Sequence, residues 1–204
     1  DYSGSRGLGD VYKRQDTINI VENVLIEFNK EIVEALNKLA CKAKRITSKE
    51  NNIITVIQEN KDLGFVGTPT KINKALLTET IKANEVPVVA PLGSDKDNQT
   101  FNINADTAAG SIAIELKARR LMIISDVEGV LDSEKKLIPE INSKKANELI
   151  DQEVISGGMI PKIKNCLDVA SNGVKAVVII DGRKNHSLLF ELLSDKGSGT
   201  LIRE

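Results

Sequence analysis

The stretch "VPVVAPLG", residues 86–93, decides the fold class. It is a continuous apolar run bounded by Pro and Gly, without polar residues at alternate positions. Such a run suits a strand covered on both faces, the situation of strands in parallel sheets flanked by helices. Working outward, the same unit recurs. A helix is expected at about 71–84, after the turn signals of "DLGFVGTPTKI" (62–72), and the β-branched "NIITVIQ" (52–58) reads as a strand before it. Beyond the polar loop "SDKDNQT" (94–100), an Ala-rich helix leads to the strand "LMIIS" (121–125). Helices around 143–151 and 159–171 lead to the strand "KAVVII" (175–180), and a helix at 187–194 precedes a final strand, "GTLIR" (199–203). Upstream, Ile18, Val21, Leu25, Phe28, Ile32, Leu36 and Leu39 recur at spacings of three and four, marking one long amphipathic helix or two meeting near Asn29. Strands alternating with helices imply an α/β three-layer αβα sandwich with a mainly parallel sheet. Ligands in such folds sit beyond the carboxyl ends of the strands.

Composition narrows the chemistry. The 204 residues, 41% of them hydrophobic, can bury one substantial core or two small ones. Lys and Arg (28) nearly balance Asp and Glu (29), so no global field attracts nucleic acid or an anionic membrane. Cys41 and Cys166 lie far apart, and His186 is the single histidine, so neither a disulfide framework nor a thiol–imidazole metal site is suggested. No apolar run approaches the roughly 20 residues that span a bilayer. The expectation is a cytoplasmic protein.

Three segments that follow strands carry candidate chemistry. In "NINADTAAG" (102–110), an extended backbone would turn Asn102 and Asn104 to one face and anchor Ile103 on the other. Two amides on one face can donate to a carboxylate or phosphate, while Asp106 stands where a helix N-cap belongs. Simple capping by Asp106 or Asn104 explains the same residues. In "SDVEGVLD" (125–132), Asp126 and Gly129 could shape a nucleotide pocket or merely turn the chain out of a strand. In "ISGGMIPKIKNCL" (155–167), Pro161 is tolerated only in a first helical turn, which starts the helix near Met159. Gly157 and Gly158 then precede free backbone N–H groups, an anion nest. Lys162 sits in the first turn, where the helix dipole disfavours a cation, and a bound anion would offset that. A snorkelling surface lysine is the plain alternative. Neither GxGxxG nor GxxxxGK[ST] occurs at a strand-to-helix junction, which argues against a dinucleotide dehydrogenase and a P-loop enzyme.

In order, "DLGFVG", "VPVVAPLG", "NINADTAAG", "SDVEGVLD", "ISGGMIPK" and "IIDGR" resemble the acetylglutamate kinases, of the amino-acid kinase fold. The resemblance runs from about Thr17 to Glu204. It implies that Asn102 and Asn104 bind the acceptor, that Asp106 is a catalytic aspartate organising lysines, and that Lys162 stabilises the transferring phosphoryl group. It further implies that Asp126, Val127, Glu128, Gly129, Val130 and Leu131, with Val154, Ile155 and Ser156, line the ATP site beside Gly157 and Gly158. The implied reaction moves the γ-phosphoryl of ATP, with Mg²⁺ held mainly by the phosphates, to the side-chain carboxylate of N-acetyl-L-glutamate, an early step of arginine synthesis. A homodimer or higher homo-oligomer is implied as well. Another carboxylate or carbamate kinase of the same fold, or a nucleotide-binding fragment without catalysis, are the competing readings. Lys184 and Asn185, after "IIDGR", lie outside the matched motifs and take no role.

The family pattern normally opens with a lysine-bearing strand, two Gly-rich loops and an acceptor-binding arginine, none of which is found here. "DYSGSRGLGDVYKRQ" (1–15) stands in their place and resembles appended adapter sequence. The expectation is a non-native leader over 1–15 and a partial kinase domain over 16–204. Within that domain, 16–100 would be the remainder of the acceptor-binding half and 101–204 the nucleotide-binding half, with turnover impaired by the missing anion contacts.

Overall fold

The computed structural model describes residues 15–194 and 197–204, so all of the 1–15 leader but Gln15 lies outside the described residues. The chain divides into two compact units, one running through Ala108 and the other from Ala109 to Glu204.

The first unit opens with helix α1 (Gln15–Lys38), unbroken at Asn29. Its inward face differs from the one the apolar spacing suggests. Ile18, Glu22 and Asn29 are buried, whereas Phe28 is 57% exposed. The polar pair turns inward because each finds a partner: Glu22 Oε1 accepts from Thr100 Oγ1 at 2.9 Å, and Asn29 Nδ2 donates to the Val88 carbonyl at 2.9 Å. With 22 and 29 facing the sheet, the helical period places 28 about 100° round from 29, on the flank of the buried face.

Strand β1 (Ala43–Ile46) follows, then the short helix α2 (Ser48–Asn51), strand β2 (Ile54–Gln58) and strand β3 (Gly67–Ile72). Helix α3 (Lys74–Lys82) leads to β4 (Val86–Val89), β5 (Leu92–Ser94) and β6 (Thr100–Asn102). "VPVVAPLG" is therefore two strands rather than one. β4 pairs in parallel with β1, and after Ala90–Pro91 the chain changes sheet so that β5 joins β2 and β6. Pro91 has no N–H with which to continue a ladder, and the break falls beside it. Full burial holds for β5, all three of whose residues are buried, while β4 remains partly exposed.

The turn expected in "GTPTKI" is strand β3, antiparallel to β2. Pro69 is tolerated because β3 is the edge of the sheet β3-β2-β5-β6 and because the register shifts at Thr55/Val56, next to the Pro69 pairing. Of "SDKDNQT", Ser94 ends β5 and Thr100 starts β6, and 95–99 form the tight hairpin loop, where Asp95 Oδ1 accepts from the N–H groups of Asp97 and Gln99, each at 2.9 Å.

Helix α4 (Ala105–Glu115) crosses the division between the units. In the second unit, β7 (Leu121–Ser125) lies parallel to β9 (Val177–Asp181), with Leu121 opposite Val177 and Ser125 opposite Asp181. The sheet order is β7-β9-β10-β8, with β10 (Thr200–Ile202) antiparallel to β9 and parallel to β8 (Glu140–Ile141). The two four-stranded sheets are thus mixed in direction, while β1 and β4 pair in parallel only; β10 comes back antiparallel to β9 after the intervening residues 182–199.

Helices α5 (Ser143–Asp151) and α6 (Met159–Ser171) occupy the positions their periodicity indicates. Ile163 and Cys166 of α6 are fully buried and join Val177 and Ile179 of β9 in the core. Val178 and Ile180 point to the opposite face and are buried too, with helix α7 (Ser187–Leu193) against the strand. Both faces of β9 are therefore covered, as its uninterrupted apolar sequence requires. Each such aliphatic side chain contributes about 1.5–3 kcal/mol on burial.

Candidate active site

The first group of candidate residues is a strand-to-helix junction. Asn102 ends β6, its backbone N–H donating to the Phe65 carbonyl at 2.9 Å. Ile103, 2% exposed, anchors the turn in the core as the alternation requires. The cap is Asn104, not Asp106: Asn104 Oδ1 accepts from the N–H groups of Asp106 (3.0 Å) and Thr107 (3.2 Å). A cap must precede the first helical residue, and the helix begins at Ala105, which places Asp106 inside the first turn. There its carboxylate sits favourably at the positive end of the helix dipole. Capping uses the carbonyl oxygen of Asn104 and leaves Nδ2 as the group it can offer to an anion. Asn102, Asn104 and Asp106 are thus gathered within one turn of chain.

The second group lies at the carboxyl ends of β7 and β9. Asp126 and Glu128 are exposed, Val127 and Leu131 half-buried, Gly129 and Val130 buried. Gly129 has φ +140°, and a Cβ there would come within 2.5 Å of Thr200 Oγ1. Glycine is required by that conformation and that close approach. Thr200 Oγ1 accepts from the Val130 N–H (2.8 Å) and donates to the Ile138 carbonyl (2.7 Å).

At the next junction Ile155 is core, while Ser156, Gly157 and Gly158 are exposed. The side chains of Val130 and Ile155 are therefore packing residues, and only their backbones can line a ligand. Helix α6 begins at Met159, with Pro161 in its first turn. Gly158 precedes it with no side-chain cap, and nothing lies within 4 Å of where a Cβ on Gly157 or Gly158 would stand. The free N–H groups expected here are partly engaged: those of Met159 and Ile160 donate to the Ser156 and Gly157 carbonyls at 3.2 and 3.3 Å, so what the turn offers a polyphosphate is chiefly open space at a helix N-terminus. Lys162 follows, half-buried, at the end of that first turn.

Two features in the same region had no role from sequence. Asp181, 3% exposed, is gripped by Arg183, whose Nε and Nη2 donate to its two carboxylate oxygens at 2.9 and 3.0 Å. The guanidinium bonds, then a bond from the Arg183 backbone N–H, lower the Asp181 pKa to about 2. Lys184 Nζ lies 2.9 Å from Glu128 Oε2. The acid–Gly–base spacing of "DGRK" was a visible signal for the first pair; the second joins residues 56 apart and had none.

Among the described residues no group of three or more His, Cys, Asp or Glu could hold a metal ion. A cavity of about 400 Å³ in the first unit, lined by Asn52, Thr55, Lys71, Ile72, Asn73, Lys74 and Ala75, contains none of the candidate residues. No helix among the described residues is long and apolar enough to cross a membrane.

The model of the amino acid kinase family matches residues 3–181. The chain belongs to that family. An acetylglutamate kinase of Pelagibacter ubique (strain HTCC1062) is 93% identical over 190 residues, covering 93% of this chain and 66% of the relative. An acetylglutamate kinase of Bradyrhizobium sp. (strain ORS 278) is 45% identical over 202 residues, covering 92% and 68%. The chain thus spans about two thirds of the length of these curated relatives. The crystal structure of smu.665 from Streptococcus mutans UA159 superimposes with a TM-score of 0.80 at 31% identity, over 95% of this chain and 74% of that one. The amino acid kinase fold expected from the ordered motifs is the fold of this chain.

Proposed function

We propose that this chain is the greater part of a kinase that phosphorylates the side-chain carboxylate of N-acetyl-L-glutamate from ATP. The observation that carries the reading is the 93% identity to a relative named acetylglutamate kinase. The site chemistry supports it. A carboxylate acceptor is already ionised, so no base is needed, and catalysis reduces to holding two anions in line and neutralising developing charge. The groups on hand are amides, backbone N–H donors and a lysine rather than an activated nucleophile. Asn102 and Asn104 donate to the acceptor, and Asp106 orients the cationic groups about the reacting centre. The open Gly157–Gly158 turn receives the phosphates at the N-terminus of α6, and Lys162 stabilises the charge on the γ-phosphoryl group. The segment 126–131 walls the nucleotide. Mg²⁺, when bound with the nucleotide, would be held mainly by the phosphates and would supply charge neutralisation.

The reading is tested with protein in excess over ATP, so that even slow turnover is read as product identity. Mg²⁺ and N-acetyl-L-glutamate are supplied, and the acyl phosphate is trapped with hydroxylamine and weighed by mass spectrometry. The hydroxamate of N-acetylglutamate should form only with ATP and protein, and Lys162→Ala should suppress it about 100-fold, the scale of removing one charge-stabilising donor. Trapping with carbamate or another carboxylate in preference, or none at all, would contradict the assignment.

A further inference from the structure

The loop after β7 is tied at both ends and held by charge between them. At its start the Gly182 N–H donates to the Ser125 carbonyl at 2.8 Å, binding the end of β7 to the end of β9. At its finish Gly129 and Val130 are locked on Thr200. Between these anchors Asp126 and Glu128 are exposed, and Val127 alone reaches the core. Arg183, fixed by its two-pronged bond to Asp181, interacts with both Asp126 and Glu128 through space, and Lys184 bonds Glu128 directly.

We propose that Arg183 and Lys184 form an electrostatic clasp that positions the 126–128 segment for the nucleotide, with Lys184 as the positioning residue. This rests on the assignment of that segment to the ATP site. The cluster sets three carboxylates (Asp126, Glu128 and Asp181) against two cations. Reversing the charge at Lys184 leaves four carboxylates against one cation beside a site for a polyanion. The Lys184–Glu128 bridge is close to half exposed on both sides (48% and 47%), so its loss should barely alter global stability while altering the loop and the local field.

The test compares the unaltered protein with Lys184→Met, Lys184→Glu and the charge swap Glu128→Lys/Lys184→Glu. Hydrogen exchange at the amides of 127–129 is measured without nucleotide, and ATP binding is followed by calorimetry. Lys184→Glu should speed exchange about tenfold and weaken ATP about five- to tenfold at low ionic strength, with an unchanged melting temperature. Lys184→Met should do less, the swap should restore the exchange rates, and about 0.5 M salt should shrink the differences. Exchange and affinity unchanged in Lys184→Glu, or a swap that fails to restore exchange, would overturn the clasp. If the unaltered protein takes up no ATP, the nucleotide assignment falls, and the exchange data still decide whether Lys184 holds the loop.

Discussion

Replacing Thr200 with Val should cost stability out of proportion to the atoms removed. Val is close to isosteric with Thr, so the packing around this fully buried side chain is retained and only the hydroxyl is lost. That hydroxyl accepts from Val130 N–H at 2.8 Å and donates to the Ile138 carbonyl at 2.7 Å. The Val130 N–H is buried, so stripping its partner costs about 1–3 kcal/mol, while the bond to half-buried Ile138 counts at the net 0.5–1.5 kcal/mol, and the pair comes to about 2–4 kcal/mol. For a domain of this size that lowers the melting temperature by roughly 5–15 °C. Thr200→Ser keeps the hydroxyl and loses a methyl, costing about 1 kcal/mol. Chemical denaturation of the three proteins gives the comparison, and the denaturant slope checks that only stability has changed. A Thr200→Val protein within about 0.5 kcal/mol of the unaltered one, or less destabilised than Thr200→Ser, would show that these two bonds do not anchor the 129–138 loop.

At the helix cap, Asn104→Ala should destabilise by about 1 kcal/mol, whereas Asn104→Asp should keep the cap and its stability while weakening N-acetylglutamate binding through like charge; equal stability of all three by thermal denaturation would deny Asn104 the cap. The Asp181–Arg183 pair has a defined pH window. Because the folded pKa is depressed from 3.8 to about 2, its stabilisation is complete above pH 3.8 and is lost as pH falls toward 2. In Arg183→Met the Asp181 carboxyl should titrate at or above the ordinary range, as burial then dominates, and the stability gap between the two proteins should close in acid; the same carboxyl carbon-13 titration in both would show that Arg183 does not set this pKa.

Much of the second unit was legible because local pattern and tertiary fate coincide there. "LMIIS" is apolar, short and followed by Asp and Gly, and β7 occupies 121–125; Pro161 admits only one helix start, and α6 begins at Met159. What escaped is settled by partners distant in sequence. Nothing local in "GTPTKI" shows that it lies at a sheet edge beside a register shift, where Pro69 fits. The inward turn of Glu22 and Asn29 depends on Thr100 and Val88, 78 and 59 residues away, and it reverses the exposure of Phe28. β1 ("AKRI"), with its two charged residues, and the two-residue β8 carry too little pattern to stand out. At the site, Asn102, Asn104 and Asp106 were found together, but the division of labour between cap and carboxylate was not, because it turns on where the helix begins. The Lys184–Glu128 bridge spans two loops that only the β7–β9 pairing brings side by side.

Nuclear magnetic resonance on nitrogen-15-labelled protein titrated with each ligand shows whether acceptor and nucleotide are received by two distinct sets of residues. N-acetyl-L-glutamate should shift the side-chain amide signals of Asn102 and Asn104. Mg-ATP should shift the backbone amides of Gly157, Gly158 and Met159 and those of 126–128. Ligand-induced shifts confined to other residues, such as those lining the cavity at Asn52, Lys71 and Lys74, would show that neither set receives its ligand.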